Sequence, residues 1–390
     1  MRTDCPICGG NRSRLFLQRQ GVPVHQNLPL GSREEARAVL RGDLDMMVCA
    51  DCGFVFNRAF DPSLMRYGPD YDNVQSHSRC FDEYLDQIVY DMVERRGVRD
   101  AVIVEVGCGK GEFLRKLVAH PCANNRGHGF DPSYQGPLTD LDGRLRFHRR
   151  FYDRECADVG ADVVLCRHVI EHCQEPMDLL RSIRVALGSS DNARLFLETP
   201  SVEWIFENSV IWYFFYEHCS LFSMFTLRNA FERAGFAVER AERVFGGQYL
   251  WIEARVAPVA NAVAPHCRDL LELAMRFAEM EAGSIAAWRQ LLWRMSLTGP
   301  VVLWGAGAKG TTLANLIDKD CSLIDCLVDV NPGKQGRFVP GTGHPIIAPA
   351  DLPLRKVRHA VLMNPNYKAE VMETISRLGT PIMLIEGSDG

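Results

Sequence analysis

At 390 residues the chain exceeds one ordinary hydrophobic core, and at roughly 150 residues per domain two or three domains are expected. Apolar residues make up 47% and the net charge is −5 with both signs interspersed, which argues for fully folded domains and against a nucleic-acid partner. No apolar leader follows Met1 and no run of about 18 apolar residues occurs, so neither secretion nor a membrane is indicated. The 14 cysteines do not form a short disulfide framework, which suits a reducing, cytoplasmic setting.

Four of those cysteines stand apart. Cys5-Pro-Ile-Cys8 and Cys49-Ala-Asp-Cys52 are two C-x-x-C knuckles, each able to turn a pair of thiolates toward one ion, and Gly53 follows the second where the chain folds back. They predict a closed, structural zinc site on Cys5, Cys8, Cys49 and Cys52, with the segment between the knuckles forming a small subdomain. Residues 57–80 carry Pro62, Pro69, Tyr67 and Tyr71 among Asp, Ser and Asn, and read as a loop leading into a helix over Phe81–Arg95. Tyr71 and His77 are placed to reach over a cleft from that loop.

Residues 102–114 combine a β-branched run, a glycine-rich turn and a helix start. Gly107, Gly109 and Gly111 permit positive φ and close approach of a ligand to the backbone. Their G-x-G-x-G spacing is shorter than the dinucleotide fingerprint G-x-G-x-x-G. Glu105 lies two positions before Gly107, and Asp131 falls where the next strand should end and where a carboxylate can accept ribose hydroxyls. Together these residues resemble the S-adenosylmethionine site of class I methyltransferases.

From there strand and helix alternate: Val102–Val106, a helix from Glu112, then strands at Gly127–Phe130, Asp162–Cys166, Arg194–Glu198 and Tyr249–Ala254, a doubly wound α/β sheet. Ligands of such sheets bind beyond the carboxyl ends of the strands. At one such end Arg167-His-Val-Ile-Glu-His172 resembles the post-strand signature of class I methyltransferases, placing His168 on the donor cleft, while His172 reads as an ordinary packing residue. The aromatic stretch Trp212–Ser223 encloses Glu217 and His218, a costly pair to bury without a use, and suggests a general base in a partly dry cleft.

An Ala/Val-rich connector between Pro258 and Pro265 precedes helical periodicity over residues 266–296. A Rossmann-like unit begins at Pro300. Val301-Val-Leu-Trp leads into Gly305-Ala-Gly-Ala-Lys-Gly310, and a strand over Ile324–Val328 ends in Asp329. Alone this is a dinucleotide fingerprint of an NAD-linked oxidoreductase or nucleotide-binding protein; it also suits the phosphates of a nucleotide-linked substrate, with Lys309 as point charge. The domains are accordingly drawn at residues 1–75, 76–258 and 259–390.

The order of zinc module, adenosylmethionine-binding core and Rossmann-like C-terminal unit resembles the C-methyltransferases of deoxysugar and natural-product biosynthesis, over essentially the full length. The resemblance implies S-adenosylmethionine as cofactor and C-methylation of a small, nucleotide-linked keto-sugar. It also implies His218 as base supported by Glu217, with His168, Tyr71 or Tyr216 stabilising the enolate oxygen. Phe215 stands where that family has a tyrosine. O- or N-methylation in a related pathway is the alternative.

Overall fold

The computed structural model describes residues 4–68, 71–72, 74–188, 193–259 and 268–387. Pro69 of the tyrosine-rich loop, and the connector from residue 260 through Pro265, lie outside them.

Eight strands form the central sheet, in the order Phe236–Val244, Tyr249–Val256, Arg194–Pro200, Val163–Arg167, Val102–Val106, Arg126–Phe130, Leu145–His148 and Thr139–Asp140. The five strands from Arg194–Pro200 to Leu145–His148 pair in parallel, and Tyr249–Val256 closes one side antiparallel. Val102–Val106 and Val163–Arg167 are buried on both faces, which explains their apolar runs Val102-Ile-Val and Val163-Val-Leu-Cys. Chain order reverses around Val102–Val106, the point where α/β sheets bind ligands at their carboxyl edge. The strands predicted here all form, within one or two residues at their ends. Phe236–Val244 and Leu145–His148 escaped notice because Val238-Glu-Arg-Ala-Glu and Leu145-Arg-Phe-His carry too few apolar residues to stand out.

A second, wholly parallel sheet runs Ile346–Ile347, Cys326–Val328, Val301–Trp304, His359–Leu362 and Met383–Ile385, and reverses its order around Val301–Trp304. Before it stands a single helix, Arg268–Ser296.

The N-terminal strands Ser13–Pro23, Arg41–Cys49 and Val55–Asn57 form an antiparallel sheet whose fourth member is Ser220–Leu221, from the aromatic stretch. The boundary drawn at residue 75 therefore separates elements that share a sheet. One hydrophobic cluster likewise joins Phe16, Phe214, Phe277, Trp288 and Leu303, drawn from the N-terminal sheet, the aromatic stretch, the long helix and the C-terminal sheet. Trp212 meets Trp288 edge-on at 5.5 Å, and Phe16 meets Phe214 at 5.6 Å. Such shared burial fixes the two sheets' carboxyl ends against each other. Among the described residues no helix is long and apolar enough to cross a membrane.

Candidate active site

The first glycine turn leaves Val102–Val106 with Gly107, Gly109 and Gly111 at φ of 68°, 54° and 78°, the left-handed region in which a side chain is strained. A Cβ on Gly107 would meet Val169 at 2.2 Å and one on Gly111 would meet Phe147 at 2.5 Å, but at Gly109 nothing lies within 4 Å. The outer glycines serve the protein's own packing, and the middle one opens on a cavity of about 280 Å³. Asp131 follows the strand Arg126–Phe130. One of its oxygens accepts the Gly109 N–H at 2.9 Å, the other the Ser133 N–H and hydroxyl at 2.7 and 2.6 Å. Glu105 also lines the cavity. It is buried, one of its oxygens has no partner, and burial raises its carboxyl to about 8. The helix Glu112–Ala119 starts at Gly111 with no side-chain cap. Free backbone donors, an orphaned acidic oxygen and open space over Gly109 fit an adenosyl ligand carrying hydroxyls and a positive centre.

A neighbouring cavity of about 250 Å³ lies between the carboxyl ends of the two sheets. His172, Tyr213, Phe215 and His218 face it from the core; Gly305, Gly307, Lys309, Asp329 and Lys334 face it from the C-terminal unit. Both cavities share Tyr71, Gln75, His168 and His172 as walls, so a single layer of side chains divides them.

His218 lines the second cavity only, and packs against that layer through His172. Its ring lies 4.1 Å from Phe215 and edge-on to His172 at 4.9 Å, and its Nδ1 is buried without a partner. Burial pushes its imidazolium well below the usual range, and repulsion from His172, His168 and Lys309 adds to this, so the ring is neutral at pH 7. The pairing expected with Glu217 is absent. Side chains of consecutive residues diverge here, and the Glu217 carboxylate accepts the Gln26 N–H at 2.8 Å instead. Burial raises Glu217 to about 7, opposed by the Gln26 N–H and the Tyr71 hydroxyl. Glu217 holds the N-terminal module through Gln26, and it does not raise the basicity of His218.

His168 lines both cavities, as its position after the strand suggested, but both its ring nitrogens are taken. Nε2 meets Glu198 at 2.9 Å and Nδ1 meets Glu171 at 3.3 Å. Burial opposes its charge, yet the two carboxylates outweigh burial and raise it to about 9. It is a fixed cation held at φ 53°. Tyr216 does not reach either cavity: its hydroxyl accepts the Asp61 N–H at 2.8 Å, and its ring fills the space a Cβ on Gly42 would need. Tyr71 is buried in the dividing wall, and His77 is exposed at the rim of the acceptor-side cavity. The Lys309 ammonium donates to Gln248 at 2.8 Å and lies 5.0 Å from the Tyr213 ring centre; burial lowers it to about 7.

Sequence reasoning set His172 aside, yet it borders both cavities with Nδ1 3.1 Å from the Tyr67 hydroxyl. Its place in the same segment after the strand, four residues beyond His168, was the available signal. Lys334 carried no signal, since it lies in a turn after Asp329.

At the other end of the N-terminal sheet, Cys5 and Cys52 sulfurs lie 3.5 Å apart, and Cys8 and Cys49 sulfurs 3.6 Å. All four fall within 4.8 Å of one another, and Gly9 and Gly53 turn each knuckle at φ 72°. Tetrahedral zinc with sulfur bonds of about 2.3 Å requires sulfurs roughly 3.8 Å apart, so the set fits.

The donor cradle at the switch point of a class I sheet defines the chain as an S-adenosylmethionine-dependent methyltransferase, and comparison with known proteins agrees. Residues 77–241 match a methyltransferase domain and residues 269–380 a C-methyltransferase C-terminal domain. A curated relative, the C-methyltransferase NovU of Streptomyces niveus, is 25% identical over 95% of this chain and 91% of its own. Among solved structures, 1,6-didemethyltoxoflavin-N1-methyltransferase of Burkholderia thailandensis is 15% identical over 45% of this chain and 80% of that one, with a TM-score of 0.34. Magnesium protoporphyrin IX methyltransferase of Synechocystis PCC 6803 is 16% identical over 48% and 88%, with a TM-score of 0.36.

Proposed function

We propose that the protein methylates a carbon next to a carbonyl in a small, nucleotide-linked keto-sugar, with His218 as general base. The observation that carries this reading is the neutral His218 ring, its Nδ1 buried and unpartnered at the second cavity, packed against His172 of the wall that the two cavities share. S-adenosylmethionine, when bound at Glu105, Gly107, Gly109, Gly111 and Asp131, supplies an electrophilic methyl group. A ketone's α-proton must leave before that carbon attacks, and a neutral imidazole in a dry wall is suited to take it. The His168 imidazolium faces the same space and offers electrostatic stabilisation to the enolate oxygen, with Tyr71 as hydroxyl donor. The uncapped helix start at Gly307, with Lys309 and Lys334 beside it, suits the acceptor's diphosphate, and His77 stands at the mouth. The C-methyltransferase C-terminal domain and the likeness to NovU support carbon rather than oxygen or nitrogen as the methylated atom.

The test uses a nucleoside-diphosphate keto-sugar in deuterated water. His218→Ala should slow both α-proton exchange and turnover by on the order of a hundred-fold or more while calorimetry shows donor binding intact. Exchange and turnover at the parent rate would reduce His218 to a packing residue and favour an oxygen or nitrogen acceptor.

We also propose a structural zinc on Cys5, Cys8, Cys49 and Cys52. Metal analysis should find near-stoichiometric zinc, lost in the double variant Cys8→Ser, Cys52→Ser; retention there would refute the site.

A further inference from the structure

The segment that carries His218 has little regular structure of its own. After the short turn Ile211–Tyr213 the chain runs irregularly until Ser220–Leu221 pairs with Val55–Phe56 of the N-terminal sheet. Between those points Phe215 and His218 face the acceptor-side cavity, their rings 4.1 Å apart, with the His218 N–H donating to the Phe215 carbonyl at 3.2 Å. Nothing solid backs Phe215. A further cavity of about 200 Å³, bordered by Arg19, Gln26, Phe214 and Phe215, lies behind it, so this side chain has open space on two sides.

Arg19, on the strand Ser13–Pro23, reaches this segment from the N-terminal sheet. Its guanidinium is buried and its planar fork divides three ways. Nη1 donates to the Phe214 carbonyl at 2.8 Å and Nη2 to the Ile211 carbonyl at 2.6 Å, while Nε and Nη2 both meet one oxygen of Glu281 at 2.9 and 2.5 Å. Glu281 belongs to the helix Arg268–Ser296. Trp212 and Phe214 already pack on Trp288 and Phe277 of that helix at 5.5 and 5.2 Å, and apolar side chains would serve stability as well as a buried ion pair does. What the fork adds is direction, because it fixes two carbonyls immediately ahead of Phe215. We propose, resting on the reading of His218 as base, that Arg19 is a positioning residue for the methyl transfer: anchored by Glu281, it sets the direction in which Phe215 and His218 enter the acceptor-side cavity. Without it the segment can sag into the space behind Phe215 and stay folded, which moves the imidazole off the proton it takes. Lysine does not substitute, since a point charge paired with Glu281 cannot also hold two carbonyls in fixed directions.

Arg19→Lys and Glu281→Gln, each alone and combined with His218→Ala, test this with the nucleoside-diphosphate keto-sugar in deuterated water. Arg19→Lys should lower α-proton exchange and kcat by about ten- to a hundred-fold, the scale of a reacting group displaced by about 1 Å. Glu281→Gln leaves the fork on both carbonyls and should lose only a few-fold; it keeps the test standing should Arg19→Lys not fold. The acceptor KM and the calorimetric affinity for S-adenosylhomocysteine should stay at the parent values. In the His218→Ala background neither change should lower the remaining rate by more than about twofold, because both act through that ring. Parent rates in both single variants, equal losses with and without His218, or a matching fall in S-adenosylhomocysteine affinity would overturn the proposal and leave Arg19 a structural residue. A His218→Ala enzyme that exchanges like the parent would instead fail the base reading, and this proposal with it, so the two failures show in different variants.

Discussion

The two glycine turns repeat one device with opposite surroundings. In each, a strand enters a turn, a helix starts without a side-chain cap, and an aspartate after the next strand accepts a turn N–H at 2.9 Å: Gly109 to Asp131 in the first, Ala306 to Asp329 in the second. Each aspartate also accepts the N–H two residues on, from Ser133 or Asn331. What differs is the space and the charge. The first turn has three left-handed glycines and an unpaired buried acid at Glu105; in the second only Gly305 has positive φ, Gly310 presses the helix onto the strand, and Lys309 and Lys334 stand near. The same backbone thus meets an unpartnered acid oxygen and open space on one side and two lysines on the other, because the side chains outside the turn differ.

The sharpest way to break this comparison is a side chain in each open position. Gly109→Arg should lose S-adenosylhomocysteine binding by on the order of a thousand-fold in titration calorimetry, since both the φ and the ligand's space are violated. Gly307→Arg should leave that binding unchanged and impair the acceptor alone. The reverse result would move the donor to the C-terminal unit.

Gly310 tests packing. An added Cβ would lie 2.0 Å from the Gly305 carbonyl, so Gly310→Ala should destabilise the protein by about 1–3 kcal/mol in chemical denaturation. Gly109→Ala meets no atom and should cost only the local strain of about 1–2 kcal/mol, with its larger effect on the ligand.

Glu105→Gln removes the orphaned acidic oxygen while keeping its shape. Donor affinity should fall about tenfold, measured by calorimetry, and catalysis at saturating donor should be little changed.

The smallest effect concerns pH. Burial lowers Lys309 to about 7, so its ammonium is present below that value and lost above it. The KM for a diphosphate acceptor should rise a few-fold between about pH 6 and 8 in the parent and stay level in Lys309→Met. An unchanged profile in the variant would assign the titration to Glu217, which ionises in the same range.

Much of this protein is legible in its order of residues. Glycine positions, the acids beyond the strands, the paired C-x-x-C knuckles and the doubly buried strands are local patterns, dictated by backbone geometry within a few residues. These define two Rossmann-like units, the donor cradle and the cysteine cluster. Side-chain direction in an irregular segment follows no period. Tertiary packing alone turned Glu217 toward Gln26, sent Tyr216 to Asp61, brought His172 against His218 and paired Ser220–Leu221 with a strand more than 160 residues earlier. Those choices were settled by which groups could be buried with partners once three parts of the chain shared one core, a condition no local stretch of sequence contains.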